Sequence, residues 1–143
     1  MSSELVVIGL SYRSSPVEVR ERLAVGGDAL VARVADVSKV AESQETLLLS
    51  TCNRVEVYLG ADEADPRLAE RVRRWLDAAA GEPLGSYVYE RHGADAVKHA
   101  FRVAASLDSM VVGEPQILGQ VKDAYAAARA SGTLGSLLDR CFT

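Results

Sequence analysis

Two strand-like segments lie so close together in the chain that they constrain the fold more than any other feature. Residues 47–49 form a continuous apolar run typical of a buried strand. In residues 55–59, apolar residues alternate with Glu56 and Tyr58, which is typical of a half-buried strand. Only residues 50–54 separate the two segments. So short a connection favours a hairpin or a sharp bend, with residues 50–54 at its tip.

Other predicted elements surround this pair in an informative order. Residues 5–10 are typical of a buried strand, and residues 86–90 of an edge strand. Ser15 and Glu18 are spaced as a capping box around Pro16. Apolar periodicity and cap signals predict helices over about 16–24, 28–41, 65–81, 94–107 and 113–130. The order of elements matches a split βαβ, ferredoxin-like α+β fold: an antiparallel sheet with helices on one face, plus additional C-terminal helices.

The composition is that of an ordinary globular chain. Of the 143 residues, 48% are hydrophobic and 25% charged, which excludes disordered, collagen-like and disulfide-scaffold classes. No window approaches the roughly 18 apolar residues of a membrane span, and the N-terminus does not have the pattern of a signal peptide. Two cysteines without a C-x-x-C motif predict a reducing, cytoplasmic setting. The net charge of −4 argues against indiscriminate nucleic-acid binding, although not against a local basic face.

The C-terminal residues predict that the chain is part of something longer. From Leu134 onwards an apolar helical stripe begins, and it stops at Thr143 without a cap. A helix cut off in mid-pattern favours a fragment, and the alternative is a frayed terminal helix that packs on its own domain. We expect one domain, with a sheet-and-helix core over about 1–107 and a truncated helical extension over 108–143.

Cys52 is the best candidate nucleophile in the sequence. A loop between two strands exposes a thiol on a rigid support, and the nearby Arg54 favours the reactive thiolate. The simpler alternative is an inert buried thiol, and Cys141 is explained by packing on the apolar stripe. The sequence has no Walker loop, no Gly-x-Gly-x-x-Gly after a strand and no metal-ligand spacing. Nucleotide and metal sites are therefore not predicted in this chain.

Further polar residues lie on the predicted helices. His99 can serve as a base or proton relay to a thiol, although a partly buried histidine bonded to backbone is the simpler interpretation. Gln116 and Gln120 share a face in the first turns of the last helix, where free N–H groups favour an anion. Solvated glutamines are the alternative. An arginine stripe can follow a phosphate backbone or simply face solvent, and it consists of Arg67, Arg71 and Arg74.

Taken together, four motifs resemble one known family. They are Gly9-Leu10-Ser11 with Pro16-Val17-Glu18-Val19-Arg20-Glu21-Arg22-Leu23, Leu49-Ser50-Thr51-Cys52-Asn53-Arg54-Val55-Glu56, His99-Ala100-Phe101-Arg102-Val103-Ala104 with Leu107-Asp108-Ser109, and Gly113-Glu114-Pro115-Gln116-Ile117-Leu118-Gly119-Gln120-Val121-Lys122. In these motifs the chain resembles the N-terminal catalytic domain of glutamyl-tRNA reductase over essentially its whole length. That domain is ferredoxin-like, in agreement with the predicted order of elements.

The resemblance implies a reaction and a set of site residues. Cys52 matches the nucleophile that attacks the ester joining glutamate to its tRNA. The resulting thioester is reduced by hydride from NADPH to glutamate-1-semialdehyde, for tetrapyrrole (porphyrin and heme) synthesis. His99 matches the position credited with assisting catalysis. Substrate contacts are implied for Thr51, Cys52, Asn53, Arg54, Ser109, Glu114, Pro115, Gln116 and Gln120.

The chemistry of these residue types fits that reaction. A thiolate forms a thioester from an activated ester, and a guanidinium binds both oxygens of a substrate carboxylate. At Tyr12 the family usually has histidine, which puts any role of that position in doubt. Members of the family are homodimers that continue into an NADPH-binding domain and a dimerisation domain, so NADPH is expected to bind outside this chain. No membrane partner is expected.

Two alternatives from other functional classes stay open. The chain can be a non-catalytic module that binds tRNA or a regulatory protein, in which Cys52 is a passive thiol. It can also act as a thioesterase-like hydrolase when isolated.

Overall fold

The computed structural model describes residues 3–43, 45–51, 53–62, 67–104 and 115–132. In chain order these form β1 (Ser3–Ser11), α1 (Val17–Leu23), α2 (Asp28–Ala41), β2 (Glu45–Ser50), β3 (Arg54–Asp62), α3 (Leu68–Ala80), β4 (Tyr89–His92), α4 (Ala94–Ala104) and α5 (Pro115–Ser131). Most predicted elements are present within a few residues of their expected ends. The predicted edge strand begins later than expected, at Tyr89, because Gly85–Tyr87 winds into a 3-10 turn.

The strands form one antiparallel sheet in the order β2-β3-β1-β4. β3 pairs with β2 and β1, and β1 also pairs with β4. β1 and β2 follow each other in the chain, with α1 and α2 between them, but β3 separates them in the sheet. This is the split βαβ arrangement, so the predicted ferredoxin-like α+β class is confirmed.

One face of the sheet packs against α1, α2 and α3. Successive side chains of a strand point to opposite faces, and here alternate residues of the strands meet the apolar stripes of the three helices. The buried members of this core include Val6, Ile8, Leu10, Val34, Val57, Leu59, Val72 and Leu76. α3 ends at Gly81, whose φ of 76° closes the helix in the left-handed conformation that glycine adopts without strain.

The additional helices α4 and α5 cover the opposite face. Their buried residues are mostly small, and the core that they form with the sheet includes Leu5, Val7, Leu47, Leu49, Ala96, Ala100, Val103, Ala124 and Ala128. The expectation that β3 is half-buried is wrong, because Glu56 and Tyr58 are both 0% exposed. α4 packs over β1 and β4, and α5 packs over β2. The second face of the central strands is therefore covered by helices instead of being exposed to solvent.

The predicted capping box at the start of α1 does not form. Pro16 is the N-cap residue, and no side chain caps the helix. Instead, Ser15 Oγ donates to the Ser11 carbonyl oxygen at 2.8 Å, and Arg20 Nη1 donates to the Ser15 carbonyl oxygen at 2.5 Å. These bonds tie the helix start to the end of β1. Within the described ranges, no helix is both long enough and apolar enough to cross a membrane.

Candidate functional site

The turn between β2 and β3 is the predicted hairpin, and its backbone is fixed on both sides of the tip. Thr51 N donates to the Arg54 carbonyl oxygen at 2.8 Å. Thr51 Oγ1 accepts from the backbone N–H groups of Asn53 and Arg54, each at 3.1 Å. Tyr12 N donates to the Asn53 carbonyl oxygen at 2.8 Å, so the segment after β1 is bound to the same turn. Cys52 lies outside the described residues, and its role stays a prediction.

Two residues beyond this turn, a fully buried carboxylate is the centre of a hydrogen-bond network. Tyr58 donates its hydroxyl to Glu56 Oε1 at 2.7 Å. Tyr89 donates its hydroxyl to Glu56 Oε2 at 2.5 Å, and His99 Nε2 donates to the same oxygen. Arg54 Nη1 lies 3.5 Å from Oε2. We call these five residues the Glu56 cluster; bonds at both oxygens satisfy a group that is costly to bury alone.

The shifted pKa values in the cluster indicate that Glu56 is ionised and that the hydroxyl groups of Tyr58 and Tyr89 are neutral. Burial raises the pKa of Glu56, but the hydrogen bond and charge of His99, with the charge of Arg54, outweigh burial and hold this pKa below its usual value. Burial and the neighbouring Glu56 charge raise the pKa of Tyr58 well above its usual value, and they also raise the pKa of Tyr89. Glu56 therefore accepts hydrogen bonds near neutral pH, and both phenols donate them.

This charge state determines which nitrogen of His99 carries a proton. An ionised carboxylate can only accept, so the Nε2 that is bonded to Glu56 is protonated. In the neutral imidazole, Nδ1 is then the nitrogen that can accept a proton. The simpler interpretation of His99, a histidine bonded to backbone, is therefore replaced by a histidine bonded to a buried carboxylate.

A polar cavity of about 480 Å³ opens beside His99 and Tyr89. Its lining also comes from the segment after β1, from β4 and from α4, and consists of Ser11, Arg13, Ser14, Tyr89, Arg91, Asp95, Lys98, His99 and Arg102. We call it the basic cavity. A second cavity, of about 500 Å³, lies among α2, α5 and the connection between α1 and α2. Small and apolar residues line most of it, and it includes none of the predicted site residues.

The structure brings together part of the predicted site. Thr51, Asn53, Arg54 and His99 are all buried around the hairpin turn and the Glu56 cluster. The predicted helix residues Pro115, Gln116 and Gln120 lie in the first turns of α5. Cys52, Ser109, Glu114 and Cys141 lie outside the described residues. The predicted anion site of the last helix therefore stays a prediction.

Three members of the Glu56 cluster were not predicted as site residues: Glu56, Tyr58 and Tyr89. The alternation along β3 correctly places Glu56 and Tyr58 on one face of the strand, but the half-buried pattern predicts that this face is exposed. A usable signal was the presence of helices after the fourth strand. Their apolar faces needed a surface to cover, and the face carrying Glu56 was the one left free by α1, α2 and α3.

The glycine pair at 26–27 does not form a dinucleotide fingerprint. The glycine pair at 26–27 does precede a helix, but it follows α1 rather than a strand, whereas a dinucleotide fingerprint joins a strand to a helix. The helix that follows begins with Asp28, whose carboxylate repels a phosphate group. Among the side chains that are described, no group of three or more His, Cys, Asp or Glu residues is arranged to hold a metal ion.

Comparison with known proteins identifies close relatives. Residues 8–143 match the family model for the N-terminal domain of glutamyl-tRNAGlu reductase. Glutamyl-tRNA reductases of Xanthomonas campestris pv. phaseoli and Xanthomonas oryzae pv. oryzae are 51% identical to this chain over 138 residues, and that of Stenotrophomonas maltophilia is 50% identical. The matched region covers 96% of this chain and 31% of each relative.

A solved structure is similar to this chain in fold as well as in sequence. Glutamyl-tRNA reductase from Methanopyrus kandleri superposes with a TM-score of 0.75 at 33% sequence identity. The superposition covers 96% of this chain and 31% of that chain. The chain thus spans less than a third of the length of the relatives that it matches.

Proposed function

Because the chain belongs to the glutamyl-tRNA reductase family, as its motifs predicted, we propose that it is the catalytic domain of such an enzyme and that Cys52 is the nucleophile. In this proposal residues 1–143 are one domain, with a core over about 1–107 and a helical extension over 108–143. The substrate is glutamyl-tRNA, and the reaction supplies glutamate-1-semialdehyde for tetrapyrrole synthesis. The observation that carries the proposal is His99 bonded to a buried, ionised Glu56, just beyond the turn that flanks Cys52.

The proposed first step is transfer of the glutamyl group from RNA to sulfur. The Cys52 thiol gives its proton to His99 Nδ1, and its sulfur forms a bond to the ester carbonyl carbon. The bond from that carbon to the ribose oxygen breaks, and this oxygen takes the proton from His99. Glu56 stabilises the imidazolium that forms in between, as a buried carboxylate does when it orients a catalytic histidine.

Arg54 is the proposed partner of the substrate carboxylate. Its side chain is only 1% exposed and already lies beside Glu56, and a guanidinium carries five N–H donors in a fixed plane. The fixed plane of these donors matches the two oxygens of a substrate carboxylate. In the proposal the remaining substrate contacts come from Thr51, Asn53, Ser109, Glu114, Pro115, Gln116 and Gln120.

Reduction of the thioester is not assigned to residues of this chain. It requires a hydride donor, and the glycine pair of the described residues does not form the strand-to-helix fingerprint of a dinucleotide site. We assign NADPH binding to a part of the family's longer chains that this sequence does not span. By itself the chain is expected to stop at the thioester, from which water slowly releases glutamate.

Mass spectrometry of the intact protein tests the proposed nucleophile. After mixing with glutamyl-tRNA, the chain should gain the mass of one glutamyl group. Cys52→Ser should abolish this adduct, and Cys141→Ser, which changes the only other cysteine, should retain it. Addition of NADPH should give no detectable semialdehyde.

Other outcomes separate the alternatives. An absent adduct, or an adduct that survives Cys52→Ser, contradicts the thioester proposal. Turnover of simple glutamyl esters without tRNA identifies a hydrolase. Binding of tRNA without an adduct, together with slow alkylation of Cys52, identifies a non-catalytic binding module.

A further inference from the structure

The basic cavity has a charge opposite to that of the whole chain. The chain has a net charge of −4. The lining of the cavity nevertheless carries four basic side chains and one carboxylate, Asp95; the basic residues are Arg13, Arg91, Lys98 and Arg102. A concave surface lined by one sign of charge concentrates its field and attracts ligands of the opposite sign. The chemistry of the cavity is therefore that of an anion site.

Three of these cations are not neutralised by neighbouring carboxylates. Arg91 lies over the Tyr89 ring, 5.1 Å from its centroid, and donates to the Glu90 carbonyl oxygen at 2.7 Å. Lys98 and Arg102 are exposed and four residues apart on α4, so they lie on the same side of the helix. Within the part of the chain that the structure describes, Arg91, Lys98 and Arg102 form no ion pair.

The arginine stripe of α3 provides the contrast. Arg71 donates to the Ala41 carbonyl oxygen at 2.7 Å and lies 3.7 Å from the Glu42 carboxylate. Arg74 is paired with Glu70 at 2.6 Å. The basic charge on α3 is thus partly neutralised within the fold. Of the two basic surfaces, the cavity is better suited to an external polyanion.

The position of the cavity relates it to the proposed reaction. His99 belongs to both the Glu56 cluster and the basic cavity, since its Nε2 is bonded to Glu56 and the residue also lines the cavity. A volume of about 480 Å³ lies within the range of small-ligand sites. In an aminoacylated RNA, the phosphate of the last nucleotide is only one ribose away from the reacting ester. An RNA whose ester lies beside His99 must therefore place backbone phosphates close to this cavity.

We propose that the basic cavity binds backbone phosphates at the 3′ end of the charged tRNA through Arg91, Lys98 and Arg102. This inference rests on the proposed function and adds to it the surface on which the RNA lies. A single substrate carboxylate needs one cation, which Arg54 supplies in the proposed site. The remaining group of cations suits successive phosphates of a nucleic-acid strand.

Binding of deacylated tRNA, followed by fluorescence anisotropy over a series of KCl concentrations, tests the inference. The variants are Lys98→Gln and Arg102→Gln, separately and combined. Each lost phosphate contact should reduce the slope of log affinity against log salt by about 0.7, so the double variant should lose about 1.4. Lys39→Gln is the matched control, because Lys39 is exposed on α2, which packs on the other face of the sheet. It should retain the wild-type slope.

The experiment separates this inference from the proposed nucleophile. Deacylated tRNA has no ester, so its binding can be measured equally well with Cys52→Ser, and loss of the thioester proposal leaves the binding result intact. A wild-type slope in the double variant overturns the inference. So does an equal loss of slope in Lys39→Gln. Unchanged RNA binding with weakened binding of free glutamate would show that the cavity takes a carboxylate instead.

Discussion

Among single residues, Glu56 has the most partners in the candidate site. It is fully buried, and donors from β3, β4 and α4 bond to its two oxygens. Substitution by glutamine keeps the size of the side chain but removes the charge and turns one acceptor into a donor. The bonded nitrogen of His99 then loses its anionic acceptor. We therefore describe Glu56 as a positioning residue that acts through His99.

We expect Glu56→Gln to slow acylation of Cys52 by about a hundredfold or more, which is the usual contribution of a general base. Single-turnover acylation measures this effect. Glu90→Gln, on β4 of the same sheet, is the control and should change the rate by less than about twofold. An acylation rate for Glu56→Gln within about twofold of wild type would contradict the positioning role of Glu56.

At the scale of secondary structure, the contact between β1 and β3 depends on one glycine. Gly9 is paired with Glu56 in the sheet. A Cβ atom at Gly9 would lie 2.4 Å from the Val55 carbonyl oxygen and 2.8 Å from Glu56 Cα. Both are backbone atoms of the paired strand and cannot turn away. The absence of a side chain at Gly9 therefore allows β1 to approach the strand that carries the Glu56 cluster.

Gly9→Ala is expected to destabilise the fold by about 1–3 kcal/mol or more, as overpacking of a tightly packed interior does. Gly60→Ala is the matched control within the same sheet. A Cβ atom at Gly60 would meet only side-chain atoms of Glu45, with the carboxylate oxygen nearest at 2.6 Å and Cβ at 3.0 Å, so rotation of the carboxylate relieves the closest contact. Urea unfolding of both variants gives the comparison. Equal losses of stability would contradict the role of the backbone contact at Gly9.

The elements that could be predicted from the sequence are those specified by local patterns. The apolar runs and the short connection were sufficient for the β2–β3 hairpin, and Gly81 marked the end of α3. The capping box at Ser15 failed because the Ser11 carbonyl oxygen, brought near by the chain path, bonds the same hydroxyl. The predicted start of β4 is too early, because residues 85–87 form a 3-10 turn although their sequence is also compatible with a strand.

The candidate site could be predicted only in part, for a physical reason. Thr51, Asn53, Arg54 and His99 lie in motifs that the sequence displays directly. The Glu56 cluster depends on contacts across long separations, since Glu56 meets Tyr89 and His99 only after β4 pairs with β1 and α4 covers the sheet. The basic cavity likewise joins Arg13 to residues of β4 and α4. No local pattern specifies which helices will cover which face.

At the scale of the whole molecule, burial of Glu56 couples folding to pH. Its folded pKa lies below the ordinary value of 4.5, so the unfolded chain binds a proton at this position more readily than the folded chain. The stability that ionised Glu56 contributes is therefore fully present above that ordinary value and is lost as the pH falls through the folded pKa.

Urea unfolding at a series of acidic pH values should show this loss. The stability difference between wild type and Glu56→Gln is expected to shrink as the pH falls below about 4.5, because the glutamine does not titrate. Glu21→Gln, at an exposed position on α1, reports the general effect of removing one acidic charge. If the difference for Glu56→Gln stays constant down to the point of acid unfolding, the ionised state of Glu56 is contradicted.

The two faces of the sheet have unequal roles in assembly. The core on the face covered by α1, α2 and α3 is apolar and includes no residue of the Glu56 cluster. The face covered by α4 carries a carboxylate whose histidine donor arrives only when that helix docks. Any change that loosens the docking of α4 would therefore separate His99 from Glu56 as well as open the second core.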